Sequence, residues 1–290
     1  EQVKKALKSK NVRALFAESL SNPEGVVSDM TKLSELAHNE GLPLIIDNTM
    51  ATQAMCQPAK YGADIIIYST TKFLSGHGNA MGGCVVDKGS FDWANGRKFE
   101  KLTEPDTSYH GIKFYETFGN LAYINFCHAC ALRDLGTTMS PFNAYLTLTG
   151  IETLNLRMQK HMSNAEKVAN FLIKHRRVDS VSWSGFQDNN SYQLAKKYFK
   201  FGFGSVFTFT VKSGFEKAKQ VVENCTLFSH LANVGDTKSL IIHPASTTHR
   251  QLSSEIRKFS GAGDSVIRLS IGLEHHEDLI KDLDKSLQKN

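Results

Sequence analysis

Short apolar segments near the start of the chain end in polar residues, a pattern typical of parallel β-strands. Leu44–Asp47 ends in a carboxylate, and residues 65–68 are followed by hydroxyls, Lys72 and a glycine-rich stretch. Residues 14–18 form a third such segment. Continuous apolar strands separated by helical patterns favour a mostly parallel sheet that is covered on both faces. The polar residues that follow them should lie at the sheet edge where open α/β sheets bind ligands.

The spacing of apolar residues predicts helices between and after these strands. The predicted helices span residues 28–39 (with Ser28 as N-cap), 52–61, 118–135, and 141–174 with Ser140 as N-cap and Gly150 marking a bend or close packing. Residues 82–86 read as another strand. Residues 91–111 are polar and aromatic without clear periodicity, so they are predicted to form an ordered surface excursion.

The last part of the chain has a different pattern. Its predicted strands cover residues 178–183, 205–211 and 266–271, and its predicted helices cover residues 215–223, 246–258 and 276–289. This arrangement favours an α+β domain, and its size is within the usual range for one domain. We therefore predict a large first domain over residues 1–155 and a smaller C-terminal α+β domain over residues 156–290.

Composition and charge exclude several classes of protein. The chain has 290 residues, 41% of them hydrophobic and 22% charged, which is ordinary for a soluble protein. No apolar run approaches the length of about 18 residues that a membrane helix needs. The net charge of +5 is mild, and the densest basic cluster, residues 174–177, is interpreted as a helix C-terminus. We therefore expect neither nucleic acid nor a membrane as a partner.

The cysteines indicate a reducing compartment. There are five, an odd number scattered along a chain too long to need disulfides, so a cytoplasmic location is predicted. Cys127 and Cys130 have the spacing of a metal or redox pair. Their neighbours are apolar and helical, which favours packing, and no metal site is predicted.

Lys72 and Asp47 are the residues whose chemistry is most specific. A lysine and a carboxylate at neighbouring strand ends suit pyridoxal 5'-phosphate (PLP), because the amine forms a Schiff base and the carboxylate pairs with the pyridinium nitrogen. Ser69 and Thr71 lie two residues apart, so in an extended stretch both hydroxyls would face the same way, as phosphate donors would. Two simpler interpretations stay open: the hydroxyls only end the strand, and Lys72 is a surface lysine.

Several motifs in order resemble the PLP-dependent trans-sulfuration family, which includes cystathionine γ-synthase, cystathionine lyases, methionine γ-lyase and O-acetylhomoserine sulfhydrylase. The motifs are residues 18–23 (ESLSNP), 47–49 (DNT), 69–77 (STTKFLSGH), 140–144 (SPFNA), 150–154 (GIETL) and 267–274 (IRLSIGLE). The resemblance covers essentially the whole chain. It implies the fold of aspartate aminotransferase (fold type I), with residues 1–155 as the C-terminal part of the large PLP-binding domain.

The resemblance also implies roles for individual residues. Lys72 matches the lysine that forms the Schiff base, and Asp47 matches the partner of the pyridinium nitrogen. Arg268 matches the arginine that binds the substrate α-carboxylate. The other implied contacts are Ser69 and Thr71 with the cofactor phosphate, Asn22 with both the cofactor and the carboxylate, and Ser239 with the carboxylate pocket through its backbone. Glu18 is expected to contact these residues rather than the cofactor or the substrate.

Within the family, residues 105–111 and 131–136 are most similar to the O-acetylhomoserine sulfhydrylase branch. The branch implies elimination of acetate from O-acetylhomoserine on PLP, followed by addition of sulfide or a thiol at Cγ. Methionine γ-lyase and cystathionine γ-synthase or lyase remain as alternatives. The family further implies homodimers or homotetramers with shared active sites.

The chain departs from the family pattern by lacking its N-terminal third. That third is expected to carry a phosphate-binding loop, the tyrosine that stacks on PLP, and residues that reach the neighbouring subunit. The chain is therefore expected to be a piece of the enzyme. The alternative is a catalytically dead assembly subunit that retained the fold, which the intact Lys72, Asp47 and Arg268 argue against.

Overall fold

Four short segments in the first half form a sheet, and its two central strands are rich in isoleucine. The computed structural model describes residues 1–95 and 98–289. The strands lie in the order β1-β2-β3-β4, with β1 to β3 parallel and β4 antiparallel to β3. They span β1 Leu15–Glu18, β2 Leu44–Asp47, β3 Ile65–Ser69 and β4 Gly83–Asp87. The predicted mostly parallel sheet is confirmed, although β4 is antiparallel and largely exposed.

The register of the sheet brings polar strand ends together. Glu18 lies opposite Asp47 in the β1–β2 pair, and Asp47 lies opposite Ile67 in the β2–β3 pair. Ser69 is the last residue of β3. Because the three strands are parallel, their carboxyl ends share one edge, as the sequence predicted.

Two helical predictions in this region need correction. The helix predicted over residues 52–61 is broken into α3, Thr52–Met55, and a 3-10 turn, Pro58–Tyr61, because proline supplies no amide hydrogen to continue the helix. Helix α2, Met30–His38, is capped by Asp29 rather than Ser28. The Ser28 hydroxyl instead donates to the carbonyl of Glu18 at 2.6 Å. A short α1 at Gln2–Leu7 precedes β1.

The segment after β4 forms an aromatic cluster rather than a surface excursion. Phe91 and Trp93 are buried with their ring centroids 4.8 Å apart, and Phe114 is fully buried beside them in the same core cluster. Residues 96–97 of the predicted excursion lie outside the described residues.

The single helix predicted over 118–135 is divided into short pieces. The helices here are α4 Glu100–Thr103, α5 Phe114–Phe118, α6 Ala122–Phe126 and α7 Arg133–Leu135, with a π-helical segment at Cys127–Leu132.

Two consecutive helices connect the halves of the chain. Helix α8, Pro141–Glu152, begins as predicted, with the Ser140 hydroxyl accepting from the Asn143 amide at 3.2 Å. Helix α9, Leu154–Leu172, follows after Thr153. It begins in the core of the first sheet with Leu154 and continues into the core of the second with Ala165. The boundary predicted near residue 156 falls in the first turn of α9, and the division into two domains stays a prediction.

The second half forms a five-stranded, mostly antiparallel sheet. The strand order is β5-β6-β9-β8-β7, with β5 Val178–Ser182, β6 Val206–Val211, β7 Ser229–His230, β8 Leu240–Ile242 and β9 Val266–Ser270. Its helices are α10 Tyr192–Tyr198, α11 Gly214–Asn224, α12 Ser254–Phe259 and α13 His276–Gln288. Strands β7 and β8 and helix α10 were not predicted. The helix predicted over 246–258 is reduced to α12 after a 3-10 turn at Pro244–Ser246. In the described part of the chain, every helix is too short or too polar to cross a lipid bilayer.

The carboxylate of Asp282 on α13 holds the loop that leads into β7. It accepts from the Thr226 hydroxyl at 2.8 Å, from the Leu227 amide at 2.9 Å and from the Phe228 amide at 3.3 Å. It also accepts from the Thr226 amide. The residue is buried, so losing the carboxylate would leave these donors without partners.

We predict that Asp282→Ala lowers the free energy of unfolding by about 2–4 kcal/mol, because buried amides lose charge-assisted hydrogen bonds. Urea titration followed by circular dichroism measures the change. Asp278→Ala is the matched control, since Asp278 is exposed in the first turn of the same helix. Equal loss of stability in both variants would contradict the importance of this network.

Candidate active site

Lys72 lies in a turn that starts where β3 stops. The segment Thr70–Leu74 is π-helical, and Lys72 interrupts it with non-helical backbone angles of φ −93° and ψ −131°. Its Nζ donates to Oδ1 of Asn233 at 2.5 Å. Asn233 lies between β7 and β8, so the contact joins the end of the first sheet to a loop of the second.

Arg157 of α9 fixes the backbone of this turn. Its guanidinium is buried and donates to the carbonyl of Phe73 at 2.9 Å and of Leu74 at 3.3 Å. It also donates to the carbonyl of Gly150 at 2.7 Å. A Cβ at Gly150 would lie 2.3 Å from the carbonyl oxygen of Ser75, so α8 packs directly on the turn and only glycine fits. The close packing predicted at Gly150 is confirmed.

A loop of the second half closes on the opposite side of the turn. A Cβ at Gly235 would lie 2.7 Å from the amide nitrogen of Phe73, and Gly235 has a φ of +76°, which favours glycine. The Thr237 amide donates to the carbonyl of Gly76 at 2.8 Å. The Lys72 turn is therefore held from both halves of the chain.

Arg268 reaches the same place from the middle of β9. Its Nη1 donates to Oδ1 of Asn22 at 3.1 Å, and its Nη2 donates to the carbonyl of Asn233 at 3.0 Å. Burial lowers the pKa of Arg268 to about 10, so the guanidinium keeps its charge near neutral pH. Asn22, Arg268, Asn233 and Lys72 thus form one continuous chain of hydrogen bonds.

The positive charge of Arg268 influences the Lys72 amine. Burial lowers the pKa of the Lys72 amine from its usual value, and the positive charge of Arg268 lowers it further. A lowered pKa increases the fraction of neutral amine, which is the form that attacks a carbonyl carbon. The site therefore combines a nucleophilic amine with a fixed positive charge.

Asp47 belongs to a second set of contacts at the strand ends. Its Oδ1 accepts from the Thr49 amide at 2.8 Å, and the Thr49 hydroxyl accepts from the Ser69 amide at 2.8 Å. Among the described residues, Oδ2 of Asp47 has no hydrogen-bond partner. Burial raises the pKa of Glu18, the Asn22 amide lowers it, and the charge of Asp47 raises it. Two carboxylates thus stand side by side at this edge.

The argument from strand periodicity for Ser69 and Thr71 does not hold. The strand ends at Ser69, and Thr71 lies in the π-helical turn, so the two hydroxyls are not two positions of one extended stretch. The Thr71 hydroxyl accepts from the Gly82 amide at 3.1 Å and lies 3.3 Å from the Gly82 carbonyl. Phosphate binding by these two residues stays a prediction.

Ser239 lies in a separate cluster. Its amide and hydroxyl donate to the carboxylate of Glu274 at 2.7 and 2.8 Å, and its hydroxyl accepts from the Gly272 amide. Its carbonyl accepts from the Ser229 amide. Its backbone groups are thus occupied, and the described contacts do not join Ser239 to Arg268. Its role in the carboxylate pocket stays a prediction from the resemblance.

The sequence did not single out Asn233, Thr49 or Arg157. Asn233 is an ordinary polar residue in a loop, and only the folded chain brings it to Lys72. Arg157 could have been noticed in the sequence, because it is a charged residue among the apolar residues on the buried face of α9. Thr49 lies two residues after the end of β2 and is part of the DNT motif of residues 47–49, but no role of its own was assigned to it from the sequence.

The residues present fit PLP on the evidence of their own geometry. Lys72 supplies an amine with a lowered pKa in the turn after β3. Asp47 supplies a carboxylate with an unoccupied oxygen at the end of the neighbouring strand β2. Arg268 adds a charged fork that suits a carboxylate. These are the groups that a pyridine aldehyde cofactor and an amino-acid substrate require.

Comparison with known proteins agrees with this chemistry. The model of the family described as Cys/Met metabolism PLP-dependent enzyme matches residues 1–288. O-acetyl-L-homoserine sulfhydrylase of Leptospira meyeri is 47% identical over 99% of this chain and 67% of that protein. Homocysteine synthase of Schizosaccharomyces pombe is 44% identical over 96% of this chain and 65% of that protein. The chain thus spans about two thirds of the length of these relatives.

Solved structures are similar over nearly the whole chain. A protein described as O-acetylhomoserine (thiol)-lyase from Campylobacter jejuni, containing N'-pyridoxyl-lysine-5'-monophosphate, has 40% identity and a TM-score of 0.94 over 98% of this chain and 68% of that chain. Cystathionine γ-synthase of Xanthomonas oryzae pv. oryzae, in complex with aminoacrylate and cysteine, has 32% identity and a TM-score of 0.80 over 98% of this chain and 65% of that chain. The predicted fold type I architecture is confirmed.

His161 of α9 is a buried histidine next to the Lys72 turn. Its Nδ1 lies 2.6 Å from the carbonyl of Ile271, and its ring meets the ring of Phe73 edge to face at 5.3 Å between centroids. Burial lowers the pKa of His161 from 6.5 to about 4, although the carbonyl of Ile271 opposes the shift. The folded chain therefore holds this ring neutral.

We predict that acid weakens the fold through His161. The unfolded chain takes up a proton at this residue below pH 6.5 and the folded chain only near pH 4, so stability is lost as the pH falls through that window, by up to about 3 kcal/mol. Unfolding midpoints measured across this range should depend less on pH in His161→Gln. His128→Gln, at an exposed position, should keep the original dependence. An unchanged slope in His161→Gln would refute this assignment.

Proposed function

This chain belongs to the family of Cys/Met metabolism PLP-dependent enzymes, and we propose that it catalyses the O-acetylhomoserine sulfhydrylase reaction. In this reaction sulfide replaces the acetate of O-acetylhomoserine and gives homocysteine; with methanethiol the product is methionine. The observation that carries the proposal is the bonding of Lys72 and Arg268 to the same residue, Asn233. This arrangement places the Lys72 amine next to the Arg268 guanidinium, a group suited to binding a carboxylate.

PLP is the cofactor, and the residues that would hold it are at the strand ends. It supplies an aldehyde that bonds a primary amine and a protonated pyridine ring that withdraws electrons from the substrate. Lys72 offers the amine, and Oδ2 of Asp47 would hold the proton on the ring nitrogen. Ser69 and Thr71 are proposed to contact the phosphate, and Asn22 to contact the ring oxygen. Thr49, bonded to both Asp47 and Ser69, keeps these groups in register.

Arg268 is proposed to bind and orient the substrate through its α-carboxylate. Each terminal nitrogen of a guanidinium carries two hydrogens, and one hydrogen on each is used for Asn22 and Asn233. The remaining hydrogens present a planar fork to a carboxylate. The burial that lowers the pKa of Arg268 also strengthens this charge-assisted contact, because little water competes with it.

Lys72 is proposed to move the protons of the reaction. Its lowered pKa places the amine closer to the working pH, where one group can both accept and release a proton. The neutral amine would take the proton from Cα and, once that proton has been passed to the cofactor, one from Cβ, so that acetate can leave Cγ. After sulfide adds at Cγ, the same amine would return a proton to Cβ and then to Cα. Oδ1 of Asn233 limits the amine to one orientation. The turn beneath it is fixed by Arg157, so Nζ alone moves between the two carbons.

We also propose that the enzyme is a cytoplasmic homodimer or homotetramer with shared active sites. Helix α8 supports association, because Phe142, Tyr145 and Leu148 are 68%, 65% and 63% exposed. The same helix packs on the Lys72 turn through Gly150. A second subunit that covers this apolar face would therefore lie next to the site.

The reaction is tested by three parallel assays of the full polypeptide that carries this sequence, loaded with PLP. We expect homocysteine from O-acetylhomoserine plus sulfide to form faster than products of methionine cleavage or of cysteine-dependent cystathionine formation. Borohydride reduction should fix the cofactor on Lys72, as mass spectrometry would show, and Lys72→Ala should abolish both this attachment and activity. Dominant methionine cleavage or cystathionine formation would assign the chain to another branch. A protein that binds PLP but catalyses none of the three would indicate an assembly subunit.

Arg268→Lys should raise KM for O-acetylhomoserine about ten- to hundredfold, because an ammonium group replaces a two-pronged contact with a single point charge. KM for sulfide should stay unchanged, since sulfide has no carboxylate. Steady-state kinetics with each substrate varied in turn distinguish the two effects. Arg13→Lys, at an exposed position, is the matched control. An equal rise in both KM values would show that Arg268 acts on the fold rather than on the carboxylate.

A further inference from the structure

The loop of residues 233–239, between β7 and β8, carries the residue that joins the two cations of the proposed site. At its start, Oδ1 of Asn233 accepts from Lys72, and the carbonyl of Asn233 accepts from Arg268. The geometry of both contacts therefore depends on how the loop itself is held. The proposed reaction gives no role to Glu274, whose side chain holds the other end of this loop.

Glu274 fixes the end of the 233–239 loop with its carboxylate. Oε1 accepts from the Ser239 amide at 2.7 Å, and Oε2 accepts from the Ser239 hydroxyl at 2.8 Å. Ser239 is fully buried, and its hydroxyl also accepts from the Gly272 amide at 2.7 Å. Because both donors of Ser239 bind a carboxylate, these hydrogen bonds are stronger than bonds between neutral groups. The carboxylate thus determines where the loop ends.

The backbone after β9 lies directly against this end of the loop. A Cβ at Gly272 would lie 2.4 Å from the carbonyl oxygen of Thr237 and 2.5 Å from Oε2 of Glu274, so only glycine fits there. The Leu273 amide donates to the carbonyl of Thr237 at 2.8 Å. The two segments are therefore bonded both through their backbones and through the Glu274 side chain.

The middle of the 233–239 loop is held between β9 and the turn that carries Lys72. The Gly235 amide donates to the Ser270 hydroxyl at 3.0 Å, and the Thr237 amide donates to the carbonyl of Gly76 at 2.8 Å. Because the loop is short and bonded along its length, its end cannot move without changing the position of its start. A displacement at the Glu274 contact is therefore expected to reach Asn233.

Helix α9 holds both Glu274 and the Lys72 turn. The side-chain amide of Asn164, which is fully buried on this helix, donates to the carbonyls of Gly272 and Glu274 at 2.9 and 2.8 Å. Arg157 of the same helix donates to backbone carbonyls of the Lys72 turn. The turn and the carboxylate thus take their positions from one helix, and the 233–239 loop connects them.

We propose that Glu274 is a positioning residue, which acts through this loop to place Asn233 and the Lys72 amine bonded to it. In the described contacts, the Glu274 carboxylate bonds to the loop and not to Lys72 or Arg268. The inference rests on the proposed use of Lys72 to move protons. A positioning role differs from a purely structural one in a measurable way: its effect on the reaction requires Asn233, whereas a loss of stability does not.

Hydrogen–deuterium exchange of the full PLP-loaded polypeptide tests whether Glu274 holds the loop. In Glu274→Gln, which keeps the shape of the side chain and removes its charge, the amides of residues 235–239 should exchange at least about tenfold faster. Glu277→Gln is the matched control, because Glu277 is exposed at the start of α13, and its loop should exchange at the original rate. Unchanged exchange in Glu274→Gln would overturn the proposal.

A double-mutant cycle with Asn233→Ala tests whether the position of the loop serves the reaction. It measures kcat for whichever reaction of the parallel assays is fastest. Glu274→Gln should lower kcat about tenfold in the otherwise unchanged protein but less than about twofold when Asn233→Ala is present, because the contact through which it acts is then absent. Equal reductions in both backgrounds would show that Glu274 is only structural.

Ser239→Ala is a second variant that removes the hydroxyl bonded to Glu274 and keeps the backbone contact. Its effect on kcat should depend on Asn233 in the same way, and it decides the question if urea titration shows that Glu274→Gln does not fold. A polypeptide inactive in all the parallel assays would refute the proposed function and the positioning role together. Equal reductions in an active polypeptide would refute the positioning role alone, so the two failures are distinguishable.

Discussion

The structure of the site depends on the immobilised backbone of the turn that carries Lys72. This turn is a short π-helical segment, which by itself has few hydrogen bonds to keep its shape. Arg157 supplies them by donating to the carbonyls of Phe73 and Leu74 from a buried position. Gly150 and Gly235 then let two backbones approach from opposite sides. Because both halves of the chain hold the turn, the position of the Lys72 amine is restricted, as covalent catalysis requires.

This way of holding Lys72 makes the site a product of both halves of the chain. The first sheet contributes the carboxylate strand ends and the turn, whereas the second contributes Arg268 and Asn233. Helix α9 belongs to both, since it begins in one core and ends in the other. A shift between the halves would therefore change the distance between the amine and the guanidinium. The buried contacts of Arg157 and His161, both on α9, oppose such a shift.

The same arrangement also determines the electrostatics of the site. Burial lowers the pKa of both Lys72 and Arg268, and the positive charge of Arg268 lowers the pKa of Lys72 further. In the proposed reaction, a substrate carboxylate bound at Arg268 would reduce the effect of this positive charge on Lys72, and the lysine would still exchange its proton. Glu18 and Asp47 lie opposite each other at the neighbouring strand ends, where the proposed function places the positively charged ring nitrogen of the cofactor. In the proposed function, the substrate carboxylate and the pyridine ring thus occupy separate regions of the site.

The sequence by itself determined the parallel strands, the polar strand ends and the identity of Lys72, Asp47, Asn22 and Arg268 as candidates. The strands, their polar ends, Lys72 and Asp47 follow from local patterns, because apolar runs indicate buried strands and the residues after them are polar. Asn22 and Arg268 were identified only by the resemblance to the trans-sulfuration family. Only the tertiary structure decided that Asn233 bonds both cations of the site. It also showed that Thr71 lies in a turn rather than in the strand, and that residues 174–177 lie beyond the end of α9 rather than in its last turn. Such relations depend on which segments pack together, and packing is a property of the whole chain that no local pattern contains.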